Sequence, residues 1–500
     1  MRGPRQWGSK KVSWPLGLVL AGTALVPVLP GATPAGAAAP PAASLSVSAG
    51  PPTTRVTVSG SGFGLRNEPV DVYFDDHDHA LAVTDGQGRF SVGITVPAEA
   101  GPGQHWVTAV DRGSSQAAQA AFTVRTDWTE QGFTPEGRRT NPYENLLSPS
   151  TVGRLQESWR VGTFGGDSSS PAVVAGTAYF GSEDGQVHAV DAATGASHWT
   201  FTTGNSVISG PAVANGLVYV GSVDRKVYAL DAATGAVRWS FATGGTVVSS
   251  PVVVGGLVYI GSFDGKVYAL DAATGAQRWA FTTGNAVGGS PVVADGVVYV
   301  GSYDDKLYAL DAATGAQRWA FSTGGPVAGS AAVANGVVYV GSLDGKVYAV
   351  DAVTGKQAWT FTTGNQVLTE PAVANGTVYV GSDDGNVYAL DAVTGGQVWA
   401  FAAAPQVGTA PAVADGVVYV GSFDGRLYAL DAASGNRLWA FTTGGSVEGS
   451  PTVADGRVYF GSEDQNLYAV ALDPATHRDA VGARPEPRSL RPDLSLRPRA

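Results

Sequence analysis

The sequence predicts an all-β protein built around an eight-bladed β-propeller of four-stranded antiparallel blades, with a small immunoglobulin-like β-sandwich in front of it. Three observations carry this. Trp recurs at 159, 199, 239, 279, 319, 359, 399 and 439, a spacing of 40 without one insertion. Gly-Ser recurs in step from Gly181-Ser182 to Gly461-Ser462, and Tyr from Tyr179 to Tyr459. A strict period of this length marks a propeller, solenoid or array. The third observation decides between them: in 247–281, four apolar runs (Val248–Val254, Leu257–Ser262, Lys266–Asp271 and Gln277–Phe281) are separated by Gly255-Gly256, Asp264-Gly265 and Thr274-Gly275. Four strands and three tight turns make one blade.

Taken in order, residues 1–37 read as a secretory signal. Arg2, Arg5, Lys10 and Lys11 precede a mostly apolar stretch from Val12 to Leu29, broken by Pro15 and Pro27, and Ala35-Gly36-Ala37 offers a small-residue cleavage site. The mature chain is then expected to be secreted and associated with the cell envelope, without membrane insertion. The full chain carries a net charge of −11, and the leader has four basic residues and no acid, so the mature protein is more acidic still. That argues against nucleic acid as a partner. With no Cys, disulfides, thiol catalysis and a lipidated cysteine are excluded.

Residues 38–43 form an Ala/Pro linker. Residues 44–126 hold short alternating runs such as Arg55–Ser59, Val70–Phe74, Arg89–Val96, His105–Val110 and Ala120–Arg125. Their number and spacing suit the sandwich. Residues 127–155 lack a period, yet Trp128, Phe133, Tyr143 and Leu146 need burial, so an ordered connector is expected. The propeller occupies 156–475. Its last unit has three strands, Pro451–Ala454, Arg457–Ser462 and Asn466–Val470, and no Trp follows them; Glu157–Gly162 has a fourth-strand Trp and no strands before it. The two are expected to join, which closes the ring with an N-terminal strand and leaves no open edge. Residues 476–500, with six Arg and four Pro, read as a basic disordered tail.

The repeat G-x-V-Y-x-G-S-x-D-G-x-V-Y-A-x-D-A-x-T-G-x-x-x-W, complete in 256–279, resembles the pyrroloquinoline-quinone (PQQ) repeat family. Its members include quinoprotein dehydrogenases and the propeller of the bacterial outer-membrane assembly factor B. The resemblance implies that Trp159, Trp199, Trp239, Trp279, Trp319, Trp359, Trp399 and Trp439 wedge between neighbouring blades. It also raises PQQ, a planar tricarboxylate that calls for an aromatic floor, cationic side chains and calcium. The innermost register positions contain no Trp, Arg, Lys or His. Their polar members, Ser169, Ser209, Ser249, Thr369, Glu370, Thr409 and Glu448, are possible channel-mouth residues.

Other candidates have plainer readings. The Asp of each G-S-x-D turn (Asp184 and its repeats) suits backbone capping in a hairpin. Asp75-Asp76-His77-Asp78-His79 has the ligand types for Ca²⁺ or Zn²⁺ but also suits a solvated hairpin tip. His188, which replaces a repeat Tyr, and His198, beside Trp199, look like blade variants. No catalytic, cofactor or metal residue is assigned. The expected function is that of a monomeric, secreted, non-enzymatic binding or scaffold protein recognising a protein or glycan at the envelope. The alternatives are a PQQ-dependent oxidoreductase and an envelope protein-assembly factor.

Overall fold

In a computed structural model, the residues described are 40–163, 165–166, 169–403, 405–473, and 484–487, 490, 492 and 496 of the tail. The expected signal segment therefore lies outside them, as does most of the tail.

Strands Ala42–Leu45, Arg55–Ser61 and Phe90–Thr95 form a three-stranded sheet. Ala49–Gly50, Ala117–Val124, Gly103–Asp111, Pro69–Phe74 and His77–Val83 form a five-stranded one. The alternation seen in sequence is the alternation of burial: Val56 and Val58 point inward from Arg55–Ser61 while their neighbours face water. Phe63, Phe74, Phe90 and Phe122 fill the space between the sheets.

The repeats give eight sheets among the described residues, seven of four strands and one to which Thr140–Asn141 of the connector adds a fifth, each running inside to outside in chain order except the last. In the third, Val252–Val254, Leu257–Ser262, Lys266–Asp271 and Gln277–Thr282 pair consecutively and antiparallel. The innermost strand is shorter than the run Val248–Val254 suggested. Pro251 has no N–H for a ladder, and beyond it Ser249 Oγ takes over, accepting from Gly261 N–H at 2.8 Å and donating to Gly261 O at 2.9 Å. Innermost strands of successive sheets touch around a closed cycle, the last against the first.

What joins neighbouring blades is one carbonyl receiving two donors. Trp279 Nε1 donates to Ala312 O at 2.9 Å, and Tyr259 Oη donates to the same oxygen at 3.0 Å. Both donors belong to one blade and the acceptor to the next. Gly315, at φ +74°, lies on the Trp279 ring, so close that a Cβ there would meet the indole at 2.7 Å. The repeated Gly of Thr-Gly is thus needed twice, for its left-handed backbone and for the indole's room. The indoles are buried or half-buried between blades.

Ring closure uses the N-terminal strand. Leu155–Gly162 pairs antiparallel with Asn466–Leu472, so the last sheet contains both ends of the repeat region. Trp159 Nε1 then donates to Ala192 O at 3.1 Å in the first blade. The last blade has no Asp-Ala-x-Thr-Gly turn, and the preceding one clamps substitutes: Trp439 Nε1 reaches Leu155 O at 3.0 Å and Tyr419 Oη reaches Leu147 O at 3.4 Å.

Two outcomes follow. Trp279→Ala is expected to cost about 3–5 kcal/mol in chemical denaturation, because a buried indole and its hydrogen bond leave together; a loss below about 1 kcal/mol would mean the indole does not hold the blades. Deleting 155–162 is expected to unfold or oligomerise the propeller, whereas truncation after 477 should leave the melt of the propeller in place. An unchanged melting temperature and monomeric state in the first deletion would contradict the closure.

Candidate functional site

The connector is the part of the structure the repeat pattern does not announce. It runs around the innermost strands and supplies acceptors to the same N–H in blade after blade. Trp128 and Val173 exchange N–H···O bonds at 2.8 Å in each direction. Val213 N–H donates to Thr129 O at 2.8 Å, and Val253 N–H donates to the Glu130 carboxylate. Val293, Val333, Val373 and Val413 donate to the carbonyls of Pro135, Glu136, Arg138 and Arg139 at 2.7–2.9 Å. Asn141 Nδ2 closes the circuit on Val453 O at 2.8 Å. Eight identical inner edges present eight groups that must be satisfied, and one segment meets them in order.

Of the residues expected to be buried here, Trp128 and Phe133 are buried, Leu146 is half-buried, and Tyr143 is exposed. Sequence reasoning missed Glu130, Arg139, Asn141 and Glu144, all buried polar. The Arg139 guanidinium is fully enclosed. Nε donates to Pro411 O at 2.9 Å, Nη2 to Pro451 O at 2.8 Å and Nη1 to Gln131 O, while the plane stands 5.5 Å from the Trp128 ring. Glu370 Oε2 lies 3.5 Å from Nη1, an ion pair without a hydrogen bond, and that oxygen has no hydrogen-bond partner.

The connector thus stops one end of the central channel. What remains is a blind cavity of about 220 Å³, with Gln131 and Glu370 among its lining residues. Its wall corrects the expected channel residues by one register position. Ser169, Ser209, Ser249, Thr369 and Thr409 turn into their blades, where each hydroxyl oxygen accepts the N–H of the second-strand Gly at 2.8–3.1 Å. The next residue faces the cavity instead. Ser250, Ser290, Ser330 and Ser450 accept N–H bonds from the same position one blade earlier, at 2.8–3.0 Å. Glu370 is deep rather than at the mouth, and Glu448 is half-buried on the wall. Crowding explains the glycines here: a Cβ on Gly289 would meet Gly329 O at 2.5 Å.

Around the open end stands the residue between Ser and Asp of each G-S-x-D turn. Val223, Phe263, Tyr303, Leu343 and Phe423 make this rim apolar over much of its course, and Glu183, Asp383 and Glu463 make the rest acidic. Each donates its N–H to the loop leading into its own blade, at 2.8–3.1 Å. Burial pushes the Glu448 and Glu463 carboxyls up, and repulsion within the Glu183, Glu448 and Glu463 group pushes further.

The other candidates are structural. Asp224 Oδ1 accepts from Lys226 N–H at 3.0 Å, and Oδ2 from Gly204 N–H at 2.9 Å and Tyr228 Oη at 2.6 Å, so the turn carboxylates cap backbone. Asp75-Asp76-His77-Asp78-His79 is split by its hairpin, with His77–Val83 already strand. Asp75 Oδ2 holds His105 Nδ1 at 2.7 Å. Among the described residues no group of three or more His, Asp and Glu is placed to hold a metal. His188 is buried and stacked on Phe180 at 4.8 Å, and burial lowers its pKa; His198 is exposed. The tail, expected to be free, is docked where described: Arg484 lies 4.8 Å from the Trp106 ring and donates to Gln119 Oε1 at 2.6 Å.

A family model described as outer membrane protein assembly factor BamB matches residues 150–279, 242–331, 308–406 and 383–478. The sandwich lies outside the match. No curated protein matches the chain. Among solved structures, BamB from Moraxella catarrhalis is similar at 23% identity and a TM-score of 0.56, over 63% of this chain and 99% of that one. Quinohemoprotein alcohol dehydrogenase from Comamonas testosteroni is similar at 19% identity and a TM-score of 0.61, over 69% and 80%. The computationally designed Ika8 protein is similar at 20% and 0.58, over 63% and 99%. At these identities the likeness is one of fold.

The buried acids make stability depend on pH. Burial pushes Glu130 up to about 8, with repulsion from Glu136 and Glu370 adding and the Val253 N–H opposing. Burial pushes Glu370 up to about 7 against the pull of Arg139. Both folded values lie above the ordinary carboxyl value of 4.5. Their contribution is therefore full below that value and is lost as pH rises through about 7–8. Glu130→Gln should flatten the decline of unfolding free energy between about pH 5 and pH 8; the same slope in variant and wild type would refute the assignment.

Proposed function

Since the chain belongs to the family described as outer membrane protein assembly factor BamB, we propose that it is a secreted, monomeric, non-enzymatic binding or scaffold protein whose propeller holds a protein or glycan at the cell envelope. The observation that carries this reading is the channel itself. It is blind, small and lined by Gly, Ser and aliphatic residues with two carboxyls, Glu370 and Glu448. These residues do not fit PQQ. A tricarboxylate would meet acids there, and the cation beneath, Arg139, is fully buried, bonded to three carbonyls and paired with Glu370. The rim around this channel differs from blade to blade, with Val223, Phe263, Tyr303, Leu343 and Phe423 on part of it and Glu183, Asp383 and Glu463 on the rest, which suits a surface that recognises rather than a pocket that reacts.

The sandwich, read as immunoglobulin-like over 44–126, serves in this view as an accessory adhesion module on the connector side. The family match favours a second reading, envelope protein assembly, which differs in partner and not in mechanism.

A photo-crosslinking residue at Leu343 on the rim should give a defined adduct in the envelope fraction, and one at Val237 on an outer strand should not. Titration with PQQ and Ca²⁺ should give no saturable complex and no dye-linked alcohol oxidation. A tight visible-absorbing complex, or adducts from neither position, would overturn the proposal.

A further inference from the structure

The five-stranded sheet of the sandwich buries both of its faces. Val72, Phe74, Val107 and Ala109 point into the core between the sheets. Tyr73 and Thr108, paired across neighbouring strands, alternate with them and so point the other way. The outer face of an antiparallel sheet is ordinarily wet, yet these two residues are 1% and 0% exposed. Leu81, which alternates with the core residues Ala80 and Ala82 on the next strand, is buried too. A face this dry has a cover.

The cover is the C-terminal tail. The chain leaves the last propeller strand at Leu472, and by Arg484 it lies on the sandwich. The Arg484 guanidinium stands 4.8 Å from the Trp106 ring, and its Nε donates to Gln119 Oε1 at 2.6 Å. Gln119 Nε2 donates to Pro485 O at 2.8 Å and to Thr108 Oγ1 at 3.1 Å. One amide therefore grips the side chain of one tail residue and the carbonyl of the next while it stands on the buried threonine. Thr108 and Gln119 face each other across two paired strands, which holds that amide in place. Pro485 and Pro487 are half-buried, whereas Arg484 and Glu486 are exposed. Further on, Pro487, Leu490 and Pro492 meet Asp71, Tyr73 and Arg112 around a cleft of about 630 Å³, so the groove continues past the seated residues.

These contacts suit arginine followed by proline. A planar guanidinium stacks on an indole and still donates from its edge, which a compact ammonium cannot reproduce. Proline keeps the residue before it extended, and it brings a carbonyl to the clamp without an N–H that would need its own partner. Arg-Pro occurs three times in this chain, at 484–485, 491–492 and 497–498, and all three copies are in the tail.

We propose that the outer face of this sheet is a receptor for arginine–proline segments, with Trp106 as the platform and Gln119 as the clamp, and that the chain's own tail is its resident occupant. In the intact protein the face is then masked, and a segment from outside reaches it only by displacing the tail. The inference concerns the sandwich and does not depend on what the propeller rim holds.

The test uses the full chain and a full-length variant carrying Arg484→Ala, Arg491→Ala and Arg497→Ala together. The probe is a fluorescein-labelled peptide with the sequence of residues 482–490, followed by anisotropy. The triple variant should bind it saturably with a Kd of about 0.1 mM. Wild type should bind about tenfold more weakly, because a tethered tail competes at an effective concentration of about 1 mM. Citrulline in place of the arginine that corresponds to Arg484 keeps the shape and removes the charge; it should weaken binding to the triple variant about tenfold, and it needs no change in the protein. Adding Trp106→Ala or Gln119→Ala to the triple variant should abolish binding. If Trp106→Ala fails to fold, Gln119→Ala and the citrulline peptide decide. Equal affinities of wild type and triple variant, no saturable binding by the variant up to about 1 mM, equal binding of the citrulline peptide, or binding that survives Gln119→Ala would overturn the inference. A wild-type dimer in sedimentation that the triple variant loses would put the tail on a second copy and overturn its place as resident occupant.

Discussion

Everything in the propeller depends on a carbonyl that takes two hydrogen bonds from the blade before it. Sheets stacked face to face make good apolar contact at many relative rotations, because apolar packing is not directional. The pair of donors, Trp Nε1 and Tyr Oη on one oxygen, is directional and fixes a single rotation. Repeated around the ring, a fixed rotation per blade is what makes a sheet array close instead of spiralling. That the same clamp is made at the seam, on the carbonyls of Leu155 and Leu147, shows how the closing strand imitates the missing turn.

This clamp also sorts what was legible in the sequence. Trp, Tyr, Gly-Ser and Asp-Ala-x-Thr-Gly recur because each makes a contact that every blade needs, so periodicity revealed the sheets and the closing strand, while the indole's place came from the family resemblance. Of the expected channel residues Thr369, Glu370 and Glu448 line the cavity, but the hydroxyls of Ser169, Ser209, Ser249, Thr369 and Thr409 turn into their blades, and the reason is local. Ser169 and Ser249 stand two residues before a proline that breaks the ladder, and their hydroxyls substitute for the missing backbone bonds. A polar residue in that register reads as solvent-facing until the break is recognised. Glu370 was expected among the channel-mouth residues, and it lies deep instead, against the connector's Arg139.

The connector was nearly invisible because it works through main-chain carbonyls. Thr129, Pro135, Glu136 and Arg138 bond inner strands by atoms that every residue possesses, so their side chains carry no signature. The trace that remained was a set of polar residues with no period, Glu130, Arg139, Asn141 and Glu144, which are buried because the segment packs along the inner strands and stops one end of the channel. The sandwich behaved differently. Its alternation reported burial faithfully, whereas the dense acid–histidine run at 75–79 was divided between a turn and a strand, which separates the side chains a metal would need to gather.

Near-identical blades create a counting problem that the repeats themselves cannot solve, since any blade would clamp any other. Seven, eight or nine copies would satisfy the same local rules, and blades could exchange between chains. The connector supplies what the repeats lack. Between Glu136 and Asn141 it advances by one or two residues for each blade passed, meeting Val333, Val373, Val413 and Val453 in order. At about 3.3 Å per extended residue, that is a step of roughly 3–7 Å, which suits innermost strands packed against one another around a narrow axis. A ring with one blade too many would leave an inner N–H without its acceptor, and one with too few would leave a connector carbonyl buried and unpaired, each costing about 1–3 kcal/mol. The seam pairs the two ends of the array, and the connector, continuous with the seam strand through Leu155, measures the distance between them. One short aperiodic segment therefore gives the periodic one its number, and in doing so closes one face of the channel and leaves the other to vary.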